Sequence, residues 1–122
     1  MPGMTRDMDL IRQILIEVDA HQDPMRPFHV QAAGYSPDQI AYHVKLLAEA
    51  GYVDAMNFTT HASFDWRPQS LTWRGHEFLG AIRNDTVWQK LKAELKDRRL
   101  DAPLELVQQL ASKLVASLLG LS

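Results

Sequence analysis

Apolar residues recur at helical spacing over most of this chain and lose that rhythm only in its middle. The sharpest block is residues 36–53, S-P-D-Q-I-A-Y-H-V-K-L-L-A-E-A-G-Y-V. Ile40, Val44, Leu47 and Ala48 fall on one helical face. Ser36 can cap this helix, Pro37 suits its first position, and Asp38 favours the positive end of its dipole. Gly51 can turn left-handed and stop the helix, after which Tyr52-Val53 leaves as a β-prone pair. A first helix is predicted over residues 5–20, with Thr5, Asp7 and Asp9 at its start. Met8, Ile11, Ile14, Leu15 and Val18 give it an apolar face, which Leu10 and Ile16 widen.

Between these helices, H-Q-D-P-M-R-P at 21–27 is a breaker-rich loop. Phe28-His29-Val30 alternates as a short strand should. Only residues 31–35 then remain ahead of the capped helix, too few for another full one. Residues 52–59 and 64–71 pattern as two strands of a hairpin, joined by T-H-A-S, with Pro68 marking an edge or a bulge. Thr72 opens a further helix in which Trp73, Phe78, Leu79 and Ile82 are expected inside and Gly75 allows close packing. Trp66 and Trp73, with Phe64 and Tyr52, are expected to cluster beneath the hairpin, as core in preference to a ligand pocket.

Asn84 or Asp85 can cap the next helix, whose stripe is Val87, Trp88, Leu91 and Leu95. Residues 98–101 form a polar break, and Pro103 opens a last helix that ends near Gly120. Leu104, Val107, Ala111, Leu114 and Leu118 repeat along it, while Leu106, Leu110, Val115 and Leu119 widen the arc. That width predicts two buried faces, one on the helix's own domain and one on a second copy.

The chain has 122 residues, enough for one domain, with 46% hydrophobic and 23% charged residues. It has no cysteine, which excludes disulfides and thiolate chemistry and is compatible with a reducing cytoplasm. The N-terminus has no apolar signal core, and no apolar run approaches the ~20 residues that span a bilayer. Net charge is −2, whereas nucleic-acid binders usually carry a basic excess.

The run Tyr42 to Val53 resembles the third helix and following strand of winged helix-turn-helix proteins. ArsR, MarR and PadR regulators carry a similar x-H-L-x-x-L-x-x-x-G-L-V pattern there. T-W-R-G-H-E-F-L at 72–79 resembles the segment after the wing in PadR-like domains. More closely, residues 5–97 resemble a bacterial and prophage family of unknown function, DUF2513. The motifs are R-D-M-D-L-I-R at 6–12, G-Y-S…I-x-Y-H-V-K-L-L-x-E-A-G at 34–51, F-D-W-x-P at 64–68 and L-T-W-x-G-H-E-F-L at 71–79. The resemblance implies a winged-helix-like fold and no known activity. The expected architecture is therefore a single α+β domain over 1–122 with a shortened second helix and a three-stranded sheet. Its core spans 5–82, with an added helix at 84–99 and a C-terminal helix at 103–120.

In the regulators that this chain resembles, the helix at 36–51 reads DNA. Its outward residues are expected to be Asp38, Gln39, Tyr42, His43, Lys45 and Glu49. Gln39, Tyr42, His43 and Lys45 are the candidate contacts to bases or phosphates, with Arg67 and Arg74 flanking the hairpin. His43 also suits a packing or hydrogen-bonding role between helix and hairpin. Asp38 and Glu49 would repel phosphate, and the hairpin tip at 59–63 has no Lys or Arg. Lys90, Lys92, Lys96, Arg98 and Arg99 form the most basic stretch, diluted by Glu94, Asp97 and Asp101. The histidines at 21, 29, 43, 61 and 76 make no H-x-x-x-H or H-E-x-x-H arrangement. With no Gly-rich phosphate loop and no serine elbow, neither catalysis, cofactor nor metal is expected. Two functions follow. One is a dimeric regulator of double-stranded DNA, paired through residues 103–121. The other is a protein-interaction module that uses the same fold without DNA.

Overall fold

The computed structural model describes residues 5–97 and 102–120. Among them are five helices and one two-stranded antiparallel sheet: α1 (Met8–Ala20), α2 (Pro37–Glu49), β1 (Val53–Asn57), β2 (Trp66–Leu71), α3 (Trp73–Ile82), α4 (Asp85–Asp97) and α5 (Leu104–Leu118). They group into two units, residues 1–76 and 77–122, and α3 runs through the division.

In the first unit, α1 starts later than expected. Asp7 rather than Thr5 is the cap, its carboxylate accepting from the Leu10 N–H at 3.1 Å. A carboxylate at this end also meets the positive pole of the helix, which a threonine hydroxyl does not. Leu10, Ile11, Ile14, Leu15 and Val18 are buried as their spacing requires. The α2 helix begins where its sequence says. Ser36 Oγ accepts from the Gln39 N–H at 3.1 Å, and Gln39 Oε1 accepts from the Ser36 N–H at 2.8 Å. This reciprocal box contributes about 1 kcal/mol to helix stability. Ala41, His43, Val44 and Leu47 are its buried residues, while Ile40 and Ala48 are half-buried.

His43 is only 1% exposed, which overturns its placement on the outward face. It lies three residues after Ile40 and four before Leu47, so helical geometry turns it inward. Its Nε2 accepts from the Asp7 N–H at 2.8 Å, which requires the proton to sit on Nδ1, and that nitrogen donates to the Gln39 carbonyl at 2.7 Å. The imidazole thus ties α2 to the start of α1, not to the hairpin. Tyr35 reinforces the same junction by donating its hydroxyl to Asp7 Oδ2 at 3.0 Å.

The segment before α2 contains no further helix. Tyr35 N–H donates to the Ala32 carbonyl at 3.3 Å, and the second helix of the expected fold is reduced to this turn. The strand expected at Phe28-His29-Val30 is also missing, so the sheet has two strands and not three. Phe28 N–H reaches the Pro68 carbonyl at 3.1 Å, but Pro68 has no N–H with which to return the bond. Pairing stops there.

Within the hairpin, Asp54 stands opposite Ser70 and Ala55 opposite Pro68, leaving Gln69 as an extra residue in β2. This bulge lies beside Pro68, as the proline suggested. Strand pairing covers 53–57 and 66–71, shorter at the tip than the alternation implied. There Thr60 Oγ1 and Thr59 Oγ1 take main-chain N–H groups that a ladder would otherwise use.

The helix α3 is docked by its first turn. Thr72 Oγ1 accepts from the Gly75 N–H at 3.0 Å and donates to the Gly51 carbonyl at 2.6 Å. A Cβ on Gly75 would stand 2.0 Å from the Tyr52 carbonyl oxygen, so only glycine lets the backbone come this close. Trp73, expected inside, is 79% exposed. It lies five residues before Phe78 and nine before Ile82, which puts it on the opposite side of the helix from both.

In the second unit, Phe78, Leu79 and Ile82 are buried as expected. Asn84 caps α4, its Oδ1 accepting from the Val87 N–H at 3.1 Å. Val87, Trp88 and Leu91 are buried and Leu95 half-buried. The α5 helix packs on α4 and buries Leu104, Val107 and Ala111. Leu106, Leu118 and Leu119 stay exposed. The polar break at 98–101 lies outside the described residues. No described helix is long and apolar enough to cross a membrane.

Two substitutions check these junctions by urea unfolding. Gly75→Ala is favourable for an isolated helix by about 1 kcal/mol, yet the clash with Tyr52 should win and destabilise the chain by about 1–3 kcal/mol. A gain in stability would show that α3 does not dock through its first turn. His43→Ala should cost about 1–3 kcal/mol, because it leaves the Asp7 N–H without its acceptor. A neutral result would remove the imidazole from its place between α1 and α2.

Candidate functional site

The six residues with which the chain was expected to touch DNA do not form one free polar surface. Gln39 is exposed, but its side-chain oxygen closes the capping box with Ser36. Tyr42 is half-buried and meets the His43 ring edge-on, with centroids 5.6 Å apart. His43 is inside. Lys45 lies 3.5 Å from the Glu49 carboxylate one turn on, so the helix carries its own counter-charge. Asp38 and Glu49 remain exposed on the same helix.

The two arginines are likewise engaged. Arg67 grips Asp65 with Nη2 at 2.7 Å and Nε at 3.1 and 3.2 Å from the two carboxylate oxygens. This fork holds the Asp65 carboxyl below the usual carboxylate range and raises the guanidinium above its own. His29 Nε2 stands 3.7 Å from Asp65 Oδ1. The guanidinium also lies over the Phe58 ring, 4.4 Å from its centroid. Arg74 donates from Nη1 to the Ala50 carbonyl at 3.1 Å, and its guanidinium lies 5.2 Å from the Tyr52 ring centroid. Both cations therefore serve the hairpin and the end of α2.

The remaining charged and titratable groups are dispersed. Lys90 and Lys96 are exposed, and Lys92 sits 5.6 Å from the Trp88 ring centroid. Arg98 and Arg99 lie outside the described residues. His21 stacks on Phe28 at 3.9 Å, and His76 is 3.9 Å from Asp19. Among the described residues, no three His, Asp or Glu side chains are grouped so as to hold a metal ion.

A cleft of about 320 Å³ opens instead between residues 29–32, the first turns of α2 and the returning arm of the hairpin. Val30, Tyr35, Ile40 and Ala41 line one side, and Ser63, Phe64, Asp65 and Trp66 the other. Burial and the hydrogen bond to Asp7 raise the Tyr35 phenol above its ordinary value. The expected aromatic cluster is divided among three environments. Tyr52 is fully buried, Phe64 and Trp66 line the cleft, and Trp73 faces solvent. From the sequence, a ligand pocket at these aromatics is the lesser alternative to a core role, and Phe64 and Trp66 do line a cleft. Pro68, which has no N–H to return a bond to Phe28, is a second sequence signal at this edge.

Residues 5–101 match the protein family described as "Hypothetical protein (DUF2513)". An uncharacterized protein of Haemophilus influenzae (strain Rd) is 34% identical over 118 residues, covering 96% of this chain and 100% of that protein. No solved structure matches the chain. The family expected from the motifs at 6–12, 34–51, 64–68 and 71–79 is thus the one found, and this chain belongs to the DUF2513 family.

Proposed function

We propose that this chain is a non-catalytic, cytoplasmic protein-interaction module built on a winged-helix-like arrangement, in preference to a DNA-binding regulator. The element order helix, helix, hairpin, helix supports the winged-helix-like part of this reading. One observation carries the choice between the two functions. Five of the six side chains suited to DNA already have partners or burial within the chain: His43 is buried, and at or near the surface Gln39 closes the cap, Lys45 meets Glu49, Arg67 meets Asp65 and Arg74 meets the Ala50 carbonyl. Binding to DNA draws its affinity from cations that neutralise phosphates and release counterions. A net charge of −2 and a hairpin tip without Lys or Arg point the same way.

The same proposal includes a homodimer through α5. Leu106, Leu110, Leu114 and Leu118 form a row at four-residue steps, and Leu106 and Leu118 are 52% and 47% exposed. Rows of this spacing interdigitate when two helices cross. The row is self-complementary, as a two-fold interface requires.

Two measurements test the proposal. Labelled duplex DNA titrated at low salt should give no shift at micromolar protein. Binding that weakens as salt rises would restore the DNA-reading function. Light scattering on the full chain should give twice the chain mass. The double variant Leu106→Glu/Leu118→Glu should give the chain mass itself, with unchanged helical circular dichroism. A full chain that is already monomeric would remove the dimer.

A further inference from the structure

Main-chain groups along an antiparallel strand point alternately toward and away from the neighbouring strand. At the mouth of the hairpin loop, Phe58 N–H donates to the Asp65 carbonyl at 2.7 Å, so residue 65 faces β1. Trp66 stands opposite Asn57, and Pro68 opposite Ala55. The Pro68 carbonyl is turned outward, to Phe28. By the same alternation the N–H and C=O of Trp66 also point away from β1. They face residues 29–32 across the cleft. No main-chain hydrogen bond joins His29, Val30 or Gln31 to any other described residue.

Two main-chain edges therefore confront each other across an open space with an apolar lining. Its volume of about 320 Å³ is at the lower end of small-ligand clefts and suits one or two apolar side chains. The chemistry presented is a donor and an acceptor on one residue of a strand edge, the pattern that another extended main chain complements. A phosphate-bearing ligand would meet the Asp65 carboxylate at this rim, and the nearby guanidinium of Arg67 is already clamped to it.

We propose that this cleft takes an extended peptide segment of a partner protein. The segment's main chain adds to the free edge of β2 at Trp66, and an apolar side chain enters between Val30, Ile40 and Trp66. Pro68 sets the limit of this pairing, because its carbonyl is occupied by Phe28 and it has no N–H. The added strand thus completes the sheet at the position where the chain's own third strand fails to form. This inference rests on the protein-interaction reading and names the class of partner for it.

The test uses a display library of ten-residue peptides selected on the full chain, followed by synthesis of the enriched sequences. Fluorescence anisotropy measures affinity, and nitrogen–proton correlation spectra locate the bound peptide. Micromolar binding is expected, with shifts confined to residues 29–32, 40–41 and 63–66. N-methylation at the peptide residue that donates to Trp66 should weaken binding about tenfold, as the loss of one such bond predicts. Methylation of the next residue, whose N–H points away, should leave affinity within about twofold. The proposal is overturned if no peptide is enriched, if the shifts map elsewhere, or if both methylations act alike. Salt-sensitive DNA binding would refute the broader reading. Failure of the peptides without DNA binding would refute the cleft alone.

Discussion

The last carbonyls of α2 have no partners within the helix, and the way they are satisfied holds the first unit together. Tyr52 N–H returns to the Leu47 carbonyl at 2.9 Å and Gly51 N–H to Ala48 at 3.1 Å, a closure that needs the left-handed φ of +83° at Gly51. Thr72 and Arg74 then reach back to the carbonyls of Gly51 and Ala50. Thr72 N–H meets the Tyr52 carbonyl at 3.1 Å, where Gly75 leaves room for it. One corner thereby fixes the exit of α2, the start of β1, the end of β2 and the first turn of α3. Arg74 adds a cation at the negative pole of α2.

The opposite end of α2 is held by a second polar junction. Asp7 caps α1 through its carboxylate, accepts from Tyr35, and gives its own N–H to His43. The buried imidazole is fully satisfied, and no described buried side-chain nitrogen or oxygen lacks a partner. Here His43, Gln39, Arg67 and Arg74 all serve internal contacts. That allocation supports a surface that recognises protein through shape and main-chain edges rather than phosphates through cations.

The sheet shows the same economy. Pro68 accepts one bond from Phe28 and cannot return it, so a three-stranded sheet becomes a hairpin with an adjoining segment held at one point. The space left open is the cleft, and the outward groups of Trp66 face it. The bulge at Gln69 lies on the same strand, so both irregularities of β2 fall within two neighbouring residues.

By itself the sequence determined which segments are helical, the start of α2, the hairpin, the shortened segment before α2, the close approach at Gly75 and the family. Caps, prolines and glycines act on groups within about four residues, and apolar spacing records which face is buried, so these features are local. Tertiary structure alone decided the rest. His43 is a polar residue at a position whose spacing points inward, and only the Asp7 N–H, 36 residues away in the chain, makes its burial tolerable. Residue type suggested an outward contact because the sequence does not show that distant donor. The strand at 28–30 has suitable alternation, but it meets its neighbour through the single bond from Phe28 N–H to the Pro68 carbonyl, and Pro68 has no N–H to return one. Trp73 is the exception: its spacing from Phe78 and Ile82 already turned it to solvent, and residue type alone suggested the core.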